Sequence, residues 1–114
     1  LEPVGDAGGV LWVNDSKATS VAAARVGMRA MDRPFIWLAG GKHKGEPYTA
    51  LHPFLKRARR AILFGEAAPI ISSDIDGRVA METVPSLESA VDRARALAQP
   101  GDAVLLSPAC SSYD

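Results

Sequence analysis

The sequence predicts an α/β domain, a three-layer Rossmann-like arrangement with a mostly parallel sheet and an antiparallel hairpin at one edge. Three observations carry this. Short apolar runs at 10–13, 35–39, 61–64 and 103–106 alternate with stretches of helical pattern, the signature of strands linked by crossover helices. The run Phe35-Ile36-Trp37-Leu38-Ala39 is continuously apolar, as expected of a strand buried on both faces. Polar, glycine- or serine-rich turns follow the strands, and ligands of such sheets bind at the carboxyl ends of the strands.

In chain order, residues 1–4 read as a short strand. Gly5-Asp6-Ala7-Gly8-Gly9 then reads as a turn into the strand at 10–13, which makes a hairpin. A helix is expected from about Thr19 to Met31, closed by the Asp32-Arg33-Pro34 breaker. The strand at 35–39 leads into a loop, Gly40-Gly41-Lys42-His43-Lys44-Gly45. Residues 48–59 read as a helix with Leu51, Phe54 and Leu55 on one stripe. The basic run Lys56-Arg57-Ala58-Arg59-Arg60 then falls at its solvated end, where cations suit the helix dipole. A strand at 61–64 stops at Gly65, a short helix is expected over 67–73 and a modest strand over 79–84. Ser86 opens a helix to about Ala98; with Ser89 three residues on, only half of a capping box is present. The last strand, 103–106, follows Pro100-Gly101-Asp102.

At 114 residues the chain is one domain, large enough for a real core and small for a complete multi-substrate enzyme. Thirteen basic residues balance thirteen acidic ones, which argues against nucleic acid or an anionic membrane as the main partner. Cys110 is alone, so no internal disulfide forms and a reducing compartment is expected. No apolar run has the length of a bilayer span, and Leu1 opens no signal-peptide pattern. The chain lacks an initiator Met and stops at Asp114 just after a serine-rich turn. Both ends therefore read as cut from something longer, the last motif being expected to run into a further helix.

The most informative segment is the turn Asn14-Asp15-Ser16-Lys17-Ala18-Thr19-Ser20, between a strand and an Ala-rich helix. Such a turn points backbone N–H groups outward, suited to an anion. It also supplies an acid, an amine and three hydroxyls. The plainer alternative is that Asp15 or Ser16 only caps the helix. The 40–45 loop fails as a phosphate-binding P-loop, because the spacing is wrong and no hydroxyl residue follows a lysine. Its glycines still let backbone approach a ligand. Lys42 and Lys44 can meet a carboxylate or phosphate as point charges; the plainer alternative is a flexible loop with solvated lysines. His43 has no partner visible in the sequence, and His43, His52 and Cys110 lack metal-ligand spacing. In the closing segment Ser107-Pro108-Ala109-Cys110-Ser111-Ser112-Tyr113-Asp114, Cys110 reads as a small packed residue rather than a nucleophile.

Taken in order, the three motifs resemble those of the carboxy-terminal domain of the Mur ligases. Asn14-Asp15-Ser16-Lys17-Ala18-Thr19, the Gly-Gly-x-x-Lys loop ending at Lys44, and Leu106-Ser107-Pro108-Ala109-Cys110-Ser111-Ser112 carry the resemblance over essentially the whole chain. Ser20, where Asn is usual, and Tyr113, where Leu or Phe is often found, depart from the common pattern. The resemblance implies the amino-acid-binding third domain of an ATP-dependent, bacterial, cytoplasmic ligase of peptidoglycan precursor synthesis. The form it matches best adds D-glutamate to UDP-N-acetylmuramoyl-L-alanine through an acyl phosphate. By the same resemblance, Thr19, Lys44 and Ser112 fall at D-glutamate-binding positions, with Tyr113 at one wall of that pocket. Asp15 matches a residue at the ATP nucleoside and Lys17 a basic residue beside the reacting groups. The sites for Mg²⁺ and the ATP phosphates are expected in the central domain, which with the amino-terminal domain would be this chain's covalent partner. A reading of another class also stands: an independent, non-catalytic α/β module that binds a small anion.

Overall fold

The structure is a computed structural model and describes residues 2–111. Its strands are β1 (Glu2–Ala7), β2 (Val10–Asn14), β3 (Phe35–Gly40), β4 (Ala58–Phe64), β5 (Met81–Thr83) and β6 (Ala103–Leu106). The helices are α1 (Val21–Ala30), α2 (Ala68–Asp74) and α3 (Leu87–Leu97), with a 3₁₀ segment at Tyr48–Phe54. Among the described residues the strands form one sheet in the order β1-β2-β6-β3-β4-β5. Only the β1–β2 pair is antiparallel within it.

Side-chain alternation along the strands divides the core into two layers. Phe35, Trp37 and Ala39 join Val13, Ala61, Leu63, Ala103 and Leu105 under α1, the 3₁₀ segment and α2. Ile36 and Leu38 join Val10, Ile62, Phe64 and Val104 under Ala90 and Ala94 of α3. All six residues of β3 are buried, so the doubly covered strand and the three layers expected from the sequence are both present. On the α3 face lies a largely apolar groove of about 370 Å³ whose lining includes Trp12, Leu38, Val91, Val104 and Leu106 together with Asn14 and Arg95.

Two expectations need correction. The residues read as a helix over 48–59 form a 3₁₀ segment that stops at Phe54. Pro53 lies inside it and has no N–H for a helical bond, and its ring crowds the preceding turn. The basic run is therefore no helix end. Ala58, Arg59 and Arg60 already belong to β4, and the arginines brace the amino-terminal ends of the strands. Arg57 donates to the Met31 carbonyl at 2.8 Å, Arg59 pairs with the buried carboxylate of Asp102, and Arg60 reaches Glu82. In the hairpin, β1 runs on to Ala7 instead of ending at Val4. A register shift between Pro3 and Gly5 absorbs the extra length, and Gly8 and Gly9, with φ of 62° and 80°, make the tight turn.

Candidate functional site at the carboxyl ends of three adjacent strands

The crossover from β2 to β3 runs through α1 on one face, and that from β5 to β6 through α3 on the other. β6 thereby enters between β2 and β3, creating a topological switch point of the kind where α/β sheets bind ligands. The three polar turns leave these three neighbouring strands, so the convergence expected from the sequence is observed.

The 107–111 segment is the middle piece, and main-chain hydrogen bonds tie it to both neighbours. On the β2 side, Asp15 N–H donates to the Leu106 carbonyl at 2.8 Å and Ala109 N–H to the Ala18 carbonyl at 2.8 Å. On the β3 side, Gly40 N–H donates to the Pro108 carbonyl at 3.2 Å. Lys42 and Ser111 form an antiparallel bridge, with Lys42 N–H to the Ser111 carbonyl at 2.9 Å and Ser111 N–H to the Lys42 carbonyl at 3.2 Å. From below, the Trp37 indole donates to the Ser107 carbonyl at 2.7 Å. Ala109 has φ 62°, a left-handed conformation costly for a residue with a side chain; its hydrogen bond and burial hold it there.

Helix α1 is capped by Ser20, whose Oγ accepts from Ala23 N–H at 3.1 Å. Neither Asp15 nor Ser16 serves that role. Asn14 Oδ1 accepts from Ser16 N–H at 2.9 Å, folding the turn back on itself, and Ala18 N–H donates to the Asp15 carbonyl at 2.9 Å. Asp15 is half-buried, and its Oδ2 accepts a long 3.4 Å bond from the hydroxyl of buried Ser107. Lys17 is exposed and Thr19 half-buried on the same turn, while Lys44 is exposed on the 40–46 loop. These four sequence-selected residues thus lie on turns that meet at one edge. Ser112 and Tyr113 lie outside the described residues.

The sequence missed one partnership. Tyr48, 1% exposed, places its hydroxyl 3.0 Å from His43 Nδ1 and 3.1 Å from Cys110 Sγ. Burial, with the Cys110 contact adding to it, pushes the Tyr48 phenol well above its ordinary range. Burial also raises the Cys110 thiol, against the opposing influence of the Tyr48 hydrogen bond and the Lys44 charge. A protonated, enclosed thiol is a packing residue, in agreement with the sequence reading. No spacing rule pairs 43 with 48; the compact 3₁₀ start at Tyr48 brings them together.

Comparison with known proteins agrees with the fold described above. A family model described as Mur ligase, glutamate ligase domain, matches residues 1–110. The UDP-N-acetylmuramoylalanine–D-glutamate ligase of Sphingopyxis alaskensis is 44% identical over 118 aligned residues, covering 100% of this chain and 27% of that protein. The ligase of the same name from Nitratidesulfovibrio vulgaris (strain DSM 19637) is 46% identical over 117, covering 100% of this chain and 26% of its own length. The chain thus spans about a quarter of the curated relatives it matches. Among solved structures, a murein peptide ligase from Psychrobacter arcticus superposes with TM-score 0.65 at 13% identity, over 92% of this chain and 25% of that one. A UDP-N-acetylmuramoyl-L-alanyl-D-glutamate–2,6-diaminopimelate ligase gives 0.64 at 19%, with the same coverage. At such identities the likeness speaks to the fold alone. The family match runs over nearly the whole chain, and on that ground the chain belongs to the Mur ligase family, within its glutamate ligase domain.

Proposed function

We propose that this chain is the carboxy-terminal, amino-acid-binding domain of a cytoplasmic, ATP-dependent ligase. That ligase joins D-glutamate to UDP-N-acetylmuramoyl-L-alanine through an acyl phosphate. The observation that carries this reading is the junction of the three motif turns at one strand edge, in a chain 44–46% identical to relatives bearing that name. A dicarboxylate leaving water needs a cation and several donors. Lys44 is assigned the cation, and Thr19 and the 107–111 segment the donors; Ser112 and Tyr113 are assigned to the same pocket on the family resemblance alone.

The reaction forms an amide after the substrate carboxylate has been phosphorylated, and the amine of D-glutamate displaces phosphate. Such a route asks the protein mainly for positioning and charge stabilisation. Lys17 is an exposed cation on the same edge and is assigned to the developing negative charge. The Asp15 carboxylate keeps acceptor capacity beyond its bond to Ser107, so it fits a ribose hydroxyl of ATP. Mg²⁺ and the ATP phosphates are assigned to the central domain. Among the described residues no group of three or more His, Cys, Asp or Glu is placed to hold a metal.

Full-length protein given ATP, Mg²⁺ and UDP-N-acetylmuramoyl-L-alanine should release phosphate only when D-glutamate is added. The 1–114 chain alone should release none, since its sequence has no phosphate-cradling glycine loop and, among the described residues, no group of three or more His, Cys, Asp or Glu is placed to hold a metal. Phosphate release by the full-length protein that ignores D-glutamate would count against the assignment. Turnover by the isolated chain above contaminant level would count against the division of labour between domains.

Asp15→Ala in the full-length protein should mainly raise KM for ATP, with kcat changed little, as expected for a contact shared by ground and transition states. Because Ser20 already caps α1, stability should fall by no more than about 1 kcal/mol, the worth of one ordinary hydrogen bond. A thermal melt beside ATP kinetics checks both halves. A large stability loss with unmoved ATP kinetics would reduce Asp15 to a structural role.

A further inference from the structure

The Tyr48 hydroxyl sits where the 40–46 loop abuts the 107–111 segment. Burying a hydroxyl is costly unless it is hydrogen-bonded, and phenylalanine would fill the same space without that requirement. Both partners of this hydroxyl, His43 and Cys110, belong to the turns that build the site. One phenolic oxygen can donate to one neighbour and accept from the other, so it clasps the two turns together.

Tyr48 is itself anchored. Its N–H donates to Asp74 Oδ2 at the end of α2, at 2.9 Å, and its ring lies 5.5 Å from that of His43, tilted by 48°. The Lys42–Ser111 bridge fixes the first part of the loop. Between that bridge and Tyr48, the His43–Tyr48 hydrogen bond ties down the stretch on which Lys44 rides.

We infer that the Tyr48 hydroxyl is a positioning residue for amino-acid binding: through His43 and Cys110 it sets where the Lys44 amine stands against the 107–111 segment. This rests on the functional reading above. It gives Tyr48 no contact with substrate, so its effect passes through Lys44. That the Lys44 charge is felt by the Cys110 thiol fits an amine held near the clasp.

The test uses steady-state kinetics of the full-length protein. Tyr48→Phe should raise KM for D-glutamate roughly five- to twentyfold, the scale expected when a binding group is displaced by a fraction of an ångström. Both kcat and KM for ATP should stay within about twofold, since the hydroxyl touches neither nucleotide nor reacting atoms. In a Lys44→Ala background the Tyr48→Phe effect should vanish, because residues acting as one unit are not additive. His43→Ala, which removes one arm of the clasp from a half-buried loop position, should raise the same KM by about two- to fivefold. It decides the matter if Tyr48→Phe fails to fold. An unmoved KM for D-glutamate overturns the inference, as does a proportional loss for both substrates that tracks a lower melting temperature. Full additivity with Lys44→Ala overturns it too. A wild-type protein with no D-glutamate-dependent turnover would instead overturn the functional reading itself.

Discussion

Lys44→Ala in the full-length protein should lower kcat/KM for D-glutamate by roughly ten- to a hundredfold, the equivalent of one charge-assisted contact of about 1.5–3 kcal/mol. Lys44 is exposed on the glycine-framed loop after β3, so truncation removes a charge without opening a cavity, and the melting temperature should barely move. KM for ATP should change much less. Lys42 provides the control. It is exposed two residues earlier, and its contribution to the site is the main-chain bridge to Ser111, which Lys42→Ala preserves. Equal losses for the two lysines would mean that the loop acts through general electrostatics, and the assignment of Lys44 would fall.

A larger loss is expected from Gly41→Ala. Gly41 has φ 128°, and a Cβ there would stand 2.3 Å from the Ser111 carbonyl oxygen, the acceptor of the Lys42 N–H. Backbone cannot yield as a side-chain tip does, so the loop and the 107–111 segment must separate. The positive φ alone costs on the order of 1–3 kcal/mol, and the bridge is lost besides. The full-length variant should lose more than about a hundredfold in kcat/KM for D-glutamate, because donors and cation no longer share one edge. Gly45→Ala separates strain from collision: φ there is 91°, but nothing among the described residues lies within 4 Å of the added carbon. It should cost stability of the order of 1 kcal/mol and leave much of the activity. A Gly41→Ala enzyme within twofold of wild type would show that the bridge is dispensable.

The sheet was legible because its strands announce themselves. The uninterrupted run 35–39 needs two covered faces, and the apolar runs alternate with helical stretches at crossover spacing. The site was legible in outline for the same reason, since each motif turn follows a strand and the ends of parallel strands share an edge. Other features required tertiary information. Leu51, Phe54 and Leu55 lie at helix-like spacing, yet Pro53 stops the segment as 3₁₀ and the following arginines are drawn into β4 by partners on other strands and turns. The capping role went to Ser20 rather than Asp15 or Ser16, because the intervening residues coil into an Asx turn before the helix begins. The clasp on Tyr48 joins residues far apart in the chain, for which no sequence period exists.

The position of β6 between β2 and β3 has a consequence for how the protein is made. Of the described strands it is the last to leave the ribosome, yet it belongs in the middle of the sheet. Until it arrives, β2 and β3 lack their shared neighbour and present unpaired edges, the kind of surface that recruits other chains. The turns after β2 and β3 likewise wait for the segment that holds them. Completion of the sheet and assembly of the ligand edge are therefore one event, late and dependent on long-range pairing, which is slow. Nascent chains stalled before Ala103 should be the aggregation-prone species, and a destabilised β6 should reduce soluble yield before it changes any property of the molecules that do fold.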